Sequence, residues 1–226
     1  MFRLITACLL AVSFVGCMES GDEPASQTIV APAPPPQDAV AAVGERTFRA
    51  GERIGLIKAG MPMAKIENLY GSGVLESRKI ELGEGETAPG YVLFPGTTDE
   101  LLIELGDDKQ PATARFSNDR SNWREESTGL TIGTTLAELH RMNGRPFTFT
   151  GFGWDYGGTV TDWNGGKLDG ILVRLTYAPE RLPAGGLDPQ LLGDVAVSSE
   201  ADAVRDIGLK VREIQIPIRK PEAVVR

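Results

Sequence analysis

Histidine occurs once and cysteine twice among the 226 residues. That is too few for the usual His/Cys zinc sites or for a disulfide framework. Basic side chains are scarce as well. Lys and Arg number 23 against 31 Asp and Glu, a net charge of −8, so the chain lacks the broad positive field that holds nucleic-acid phosphates. What it has in quantity is punctuation, with 27 Gly and 15 Pro. Together with 41% apolar and 24% charged residues, this describes a turn-rich globular chain of one large domain or two small ones, and argues against a helical bundle.

The N-terminus differs from the rest. Arg3 precedes an apolar run from Leu4 to Val15, which Gly16 and Cys17 follow. Twelve apolar residues make a helix of about 18 Å, short of a hydrocarbon core of about 30 Å, so the run reads as an export signal and not as an ordinary membrane span. Phe14-Val15-Gly16-Cys17 resembles a bacterial lipoprotein signal, with Phe14 where leucine is usual. The resemblance implies cleavage after residue 16, lipidation of Cys17 and attachment to the periplasmic face of the outer membrane, since Met18 is not the aspartate that retains such proteins in the inner membrane. If Cys17 carries no lipid, the same segment makes a soluble periplasmic protein. Cys8 leaves with the signal, so the mature chain would carry no free thiol, as suits an oxidising compartment.

Residues 17–43 then form the expected tether. Pro24, Pro32, Pro34, Pro35 and Pro36 lie among alanine and polar residues, which bury too little apolar surface to offset ordering of the backbone. The globular part is expected over 44–226.

Within it the sequence repeats. Gly60, Ala64 and Gly71 recur 73 positions later as Gly133, Ala137 and Gly144. Met63, Ile66 and Leu69 in the first copy, and Leu136, Leu139 and Met142 in the second, place one apolar stripe on a helix of about nine residues. Thr135 and Glu138 have the spacing of a capping box. Leu101 to Leu105 matches Ile171 to Leu175 as a closing strand, and each copy has room for two strands before it, near 77–82 and 91–94 and near 147–156 and 159–163. The expected fold is therefore α+β, with two tandem helix-plus-antiparallel-meander units over about 55–105 and 129–177. A C-terminal extension over 178–226 would end in a strand, 211–218, that Pro217 confines to a sheet edge.

A short helix entered at Gly60-Met61 or Gly133-Thr134, closed at Gly71 or Gly144, and followed by a meander containing Trp154-Asp155-Tyr156 resembles the SmpA/OmlA-type outer-membrane lipoproteins, which share the fold of β-lactamase inhibitor proteins. The resemblance covers the two units and implies non-enzymatic protein binding. One branch supports an outer-membrane assembly machine, and tandem copies in another form a concave sheet that grips a protein. The tether, the second copy and the C-terminal extension depart from the single-copy assembly subunit.

Site chemistry is sparse. Gly151-Phe152-Gly153-Trp154-Asp155-Tyr156-Gly157-Gly158 reads either as a bulged core strand or as a place where a partner approaches the backbone, with Trp154, Asp155, Tyr156 and Trp163 as binding residues. His140 follows the buried position Leu139 and reads as a surface histidine, with no second imidazole or thiol beside it. Asp107-Asp108 lacks the ligand spacing of a calcium loop. No catalytic residue, metal site or cofactor is expected. The partner expected is an envelope protein or cell-wall material, with the membrane touched through the lipid alone and no nucleic acid. Two alternatives remain: an inhibitor of a secreted enzyme, and a hydrolase using Asp155 with a neighbouring carboxylate such as Asp162.

Overall fold

The structure is a computed structural model that describes residues 45–218. The signal segment, Cys17 and the tether lie outside the described residues. Among the described residues the chain is mixed α+β, with two α-helices and thirteen strands in three sheets, and no helix is long and apolar enough to cross a membrane.

The first half opens with three short strands, β1 (Thr47–Arg49), β2 (Arg53–Ile54) and β3 (Ile57–Lys58), and then helix α1 (Met63–Tyr70). A meander follows: β4 (Leu75–Gly83), β5 (Glu86–Leu93) and β6 (Leu101–Leu105), each antiparallel to the one before. β7 (Pro111–Phe116) continues it, and β8 (Arg124–Glu125) returns to lie parallel to β1. The second half contains α2 (Leu136–Asn143), β9 (Thr148–Thr150), β10 (Val160–Asp162), β11 (Leu172–Thr176), β12 (Ala196–Ser198) and β13 (Lys210–Pro217).

The two helices are alike in detail. Each has eight residues, their starts are 73 positions apart, and the fully buried positions, Ile66 and Tyr70 in α1 and Leu139 and Asn143 in α2, correspond. The final position of each side chain is used the same way, to reach back to the loop backbone. Tyr70 Oη accepts from Leu56 N–H at 2.8 Å, and Asn143 Nδ2 donates to Trp163 O at 3.0 Å. At its N-terminus α2 has the capping box in full, with Thr135 N–H donating to Glu138 Oε2 at 2.8 Å and the Thr135 hydroxyl accepting from Glu138 N–H. Gly144 ends α2 in the left-handed region, whereas Gly71 ends α1 with positive φ and extended ψ.

Beyond the helices the halves differ. β9 pairs with β10 and β12 in a separate three-stranded sheet, while β11 joins the large sheet and meets the residues just before β10 at the Thr159–Arg174 bridge and through Leu175 N–H to Gly158 O at 2.8 Å. The expected second meander is thus divided between two sheets. The strand expected over 147–156 stops at Thr150, because Gly151 and the residues after it turn the chain away.

The largest departure concerns the C-terminal strand. β13 is an interior strand of the six-stranded sheet, ordered β11-β13-β7-β6-β5-β4, and not an edge. Pro217 is compatible with this because it is the last residue of the strand. Its nitrogen faces the side where the β11 ladder has already ended at Leu172 opposite Gln215, and the Pro217 carbonyl on that side accepts from Gly51 N–H at 2.7 Å. Ile218 N–H, pointing the other way, bonds Ala112 O on the β7 side at 2.9 Å. Ile214, Ile216 and Ile218 are all fully buried, and a bulge at Arg212 brings Val211 onto the same face. β13 therefore joins the two halves, and one hydrophobic cluster runs from Phe48 and Trp123 through Ile103, Phe116 and Ile214 to Phe147 and Trp163.

Glu125 fastens the turn after β8. It is 6% exposed, and its Oε2 accepts from Ser127 N–H, Ser127 Oγ, Thr128 N–H and Thr128 Oγ1 at 2.6–2.8 Å. Burial disfavours its charge and is the largest single influence, but the four donors together outweigh it and hold the carboxyl below its ordinary value of 4.5. A lowered folded pKa means that the stabilisation is complete above the unfolded value and is lost as pH falls through the folded one. Glu125→Gln is therefore expected to cost about 1–2 kcal/mol at pH 7. The deficit should shrink as pH falls through the lowered folded value, as read from urea midpoints across pH.

Candidate functional site

The loop between β9 and β10 holds most of the residues singled out by sequence. Phe152 is buried, forms an isolated bridge with Leu192, and packs against Tyr177 with ring centroids 5.1 Å apart. Trp154 and Tyr156 are each 37% exposed, and they meet edge to face at 5.5 Å and 72°. They are the loop's outward side chains, not the continuation of a core strand.

The loop that presents them is held by side-chain donors. Arg174, on β11, donates to Asp155 O. Tyr156 O accepts from Thr150 Oγ1 at 2.9 Å and from Thr159 Oγ1 at 2.7 Å. Trp154 Nε1 donates to Gly151 O at 3.0 Å. Such an aromatic pair loses little conformational entropy when a partner covers it, because the backbone beneath is already fixed.

Apolar neighbours extend the pair. Tyr156 Oη lies 2.9 Å from where a Cβ would stand on Gly83, at the end of β4, beside the exposed Leu82. Leu192 approaches Gly153 and Val195 approaches Gly151, and both of these side chains are exposed. Among the described residues six large hydrophobic side chains are exposed: Leu82, Trp154, Tyr156, Leu172, Leu192 and Val195. Five of the six gather at this loop, and the sixth, Leu172, is on the strand that anchors it. An accumulation of this kind makes this loop the candidate contact surface among the described residues.

Trp163 does not belong to this surface. It is 4% exposed, packs on Phe147 with centroids 5.0 Å apart, and donates its Nε1 to Ile171 O at 2.8 Å. Its place is in the core, so it has no face to offer as an anchor. Asp155 is exposed on the loop. Asp162 Oδ1 accepts from Asn164 N–H at 2.6 Å, in the turn after β10. The two carboxylates are thus a loop residue and a turn cap. Among the described residues no group of three or more His, Cys, Asp or Glu side chains could hold a metal ion.

The outer face of the six-stranded sheet is not an open platform. Ile80 and Val92, whose registers place them opposite the main core, are 1% and 0% exposed. Arg115 crosses to donate to Glu81 O at 2.6 Å, so the β4–β5 hairpin folds over this face.

One close polar pair had no signal in the sequence. His140 Nε2 is 2.8 Å from Ser199 Oγ, which also accepts from Phe147 N–H at 2.9 Å. The residues are 59 positions apart, and neither has a neighbouring motif. Ser199 is 2% exposed, so the hydroxyl is spent on joining the end of β12 to α2 and the start of β9. Comparison with known proteins finds no matching family model, no matching curated protein and no matching solved structure.

Proposed function

We propose that this protein is a non-enzymatic protein-binding module of the cell envelope, and that Trp154 and Tyr156 are its contact residues. The observation that carries this reading is the rigidly seated aromatic pair, around which most of the exposed apolar side chains collect. Aromatic anchors on a fixed base are what concentrate binding energy at protein interfaces. The lipoprotein-like segment ending at Cys17 supports attachment to the periplasmic face of the outer membrane. The tether would let the domain reach an envelope protein while staying at the surface. The matched helices support a duplicated unit of the SmpA/OmlA and β-lactamase-inhibitor kind, with the second copy rearranged to display the loop.

Site-specific photo-cross-linking in cells tests this. A photoreactive phenylalanine at Asp155 is expected to trap a defined protein, and a control at Lys65, exposed on α1, is not. Trp154→Ala with Tyr156→Ala should remove about nine-tenths of the product, as loss of a hot spot of 1.4 kcal/mol or more requires, without lowering abundance. Equal yields at positions 155 and 65 would refute the assignment of this loop.

A further inference from the structure

Beside Trp154 is a cleft of about 240 Å³, smaller than the ~300–1,000 Å³ of ordinary small-molecule sites. It is the right scale for one large side chain. Phe152, Trp154, Leu175, Tyr177 and Pro179 supply apolar walls, and the solvent-exposed Arg212 also lines it.

The position of Arg212 follows from the bulge in β13. Regular alternation would turn Arg212 and Glu213 to opposite faces, but Arg174 is opposite Glu213 and Leu175 opposite Val211, so Arg212 is the inserted residue. Its neighbours are already committed. Arg174 bonds Asp155 O and pairs with Glu213 at 3.6 Å. Among the described residues Arg212 has neither a hydrogen bond nor an ion pair, and two guanidinium groups face one carboxylate here. Partial burial, and then the nearby charge of Arg174, lower the pKa of Arg212 against the smaller opposing pull of Glu213. In a chain whose net charge is −8, this spot favours an anion.

We propose that this cleft receives the C-terminal residue of the partner polypeptide, with an apolar side chain against Phe152, Trp154 and Tyr177 and the α-carboxylate on Arg212. This deepens the binding-module reading and rests on it. The argument for a chain terminus is one of economy of atoms. An internal Asp or Glu brings charge without bulk, an internal Phe or Leu brings bulk without charge, and a terminal apolar residue brings both, a few bonds apart. A charge-assisted bond from guanidinium to carboxylate then adds direction to a contact that apolar burial alone would leave unoriented.

The full chain, purified in mild detergent, is titrated with the hexapeptide Gly-Ser-Gly-Ser-Gly-Phe as free acid, with its C-terminal amide, and with an amidated hexapeptide carrying an internal Phe-Glu. Tryptophan fluorescence reports the site, because Trp154 is exposed while Trp123 and Trp163 are 0% and 4% exposed. The free acid should give a saturable change with a Kd of about 1 mM or tighter. Amidation, the internal Phe-Glu and Arg212→Gln should each weaken binding about tenfold or more, as the loss of one charge-assisted contact implies. Arg212→Lys should retain part of the affinity. Circular dichroism checks that each variant is folded, and the two amidated peptides decide the matter even if Arg212→Gln is not. Equal binding of acid and amide, equal binding of the internal Phe-Glu peptide, indifference to Arg212→Gln in a folded protein, or no saturable change would each overturn the proposal. If the peptides fail while the cross-linker at position 155 still traps a partner, the terminal-residue subsite is wrong and the binding module stands. Failure of both removes both.

Discussion

Replacing Asn143 with leucine is expected to lower the unfolding free energy by about 3–5 kcal/mol, a large part of the 5–15 kcal/mol typical of a domain. The amide is 1% exposed at the end of α2. Its Nδ2 donates to Arg145 O at 2.8 Å and to Trp163 O at 3.0 Å, and its Oδ1 accepts from Leu168 N–H at 3.2 Å. Leucine has a similar branched shape but a larger volume, so it crowds the site, and it can satisfy none of these three groups. Two of the bonds are fully buried, so their backbone partners would be stranded away from water, and each such orphan costs about 1–3 kcal/mol. Gly166 packs so tightly on the Asn143 amide that a Cβ there would overlap it, which leaves little room for a rescuing water. A urea midpoint that falls with an unchanged slope would show the loss. Arg145→Ala, which removes only an exposed bond to Asn164 O, should stay within about 0.5 kcal/mol of wild type. An equally small effect of Asn143→Leu would mean that the loop over 163–168 is not held through this amide.

Gly90→Ala should destabilise by about 2–4 kcal/mol, against the usual direction for a glycine in a strand, where alanine commonly gains about 0.5–1 kcal/mol. The obstacle is space. Gly90 does not have positive φ, so alanine would suit its backbone. A Cβ there would overlap Ile80 Cγ1 and stand 2.5 Å from Ile103 O on the adjoining strand. The isoleucine can rotate, but the carbonyl belongs to the β5–β6 ladder and moves only if that pairing opens. Ile80→Ala in the Gly90→Ala background should therefore recover only part of the loss. Thermal melts of the two single variants and the double variant measure the coupling, and full recovery would show that the side chain was the whole obstacle.

Both positions show which features local sequence reports. The helices over 63–70 and 136–143 were legible because a stripe recurring every three to four residues, bounded by glycine, is a local signal. The Thr135 and Glu138 box was legible for the same reason. Strands β6 and β11 were readable from alternation. The position of β13 was not, since whether a strand is interior or at an edge depends on what lies beside it, and Pro217 at its last residue looks the same in either case. Trp154 and Trp163 are chemically identical, and only the tertiary fold separates them, exposing one and burying the other. The pair of His140 with Ser199 depends on chain separated by 59 residues. At the candidate site the glycine and aromatic composition singled out the loop proposed above, while Arg174 and Arg212, which hold and border it, were hidden in strands whose pairing no local pattern reveals.

Because β13 follows β7 and β11 in the chain and fills the gap between them, the large sheet cannot close until that strand has been made. A chain made in order would for a time carry two unpaired strand margins facing each other, each able to recruit a stranger's strand. Safe maturation then depends on how quickly β13 follows, or on a holding factor that shields the vacant slot until it does.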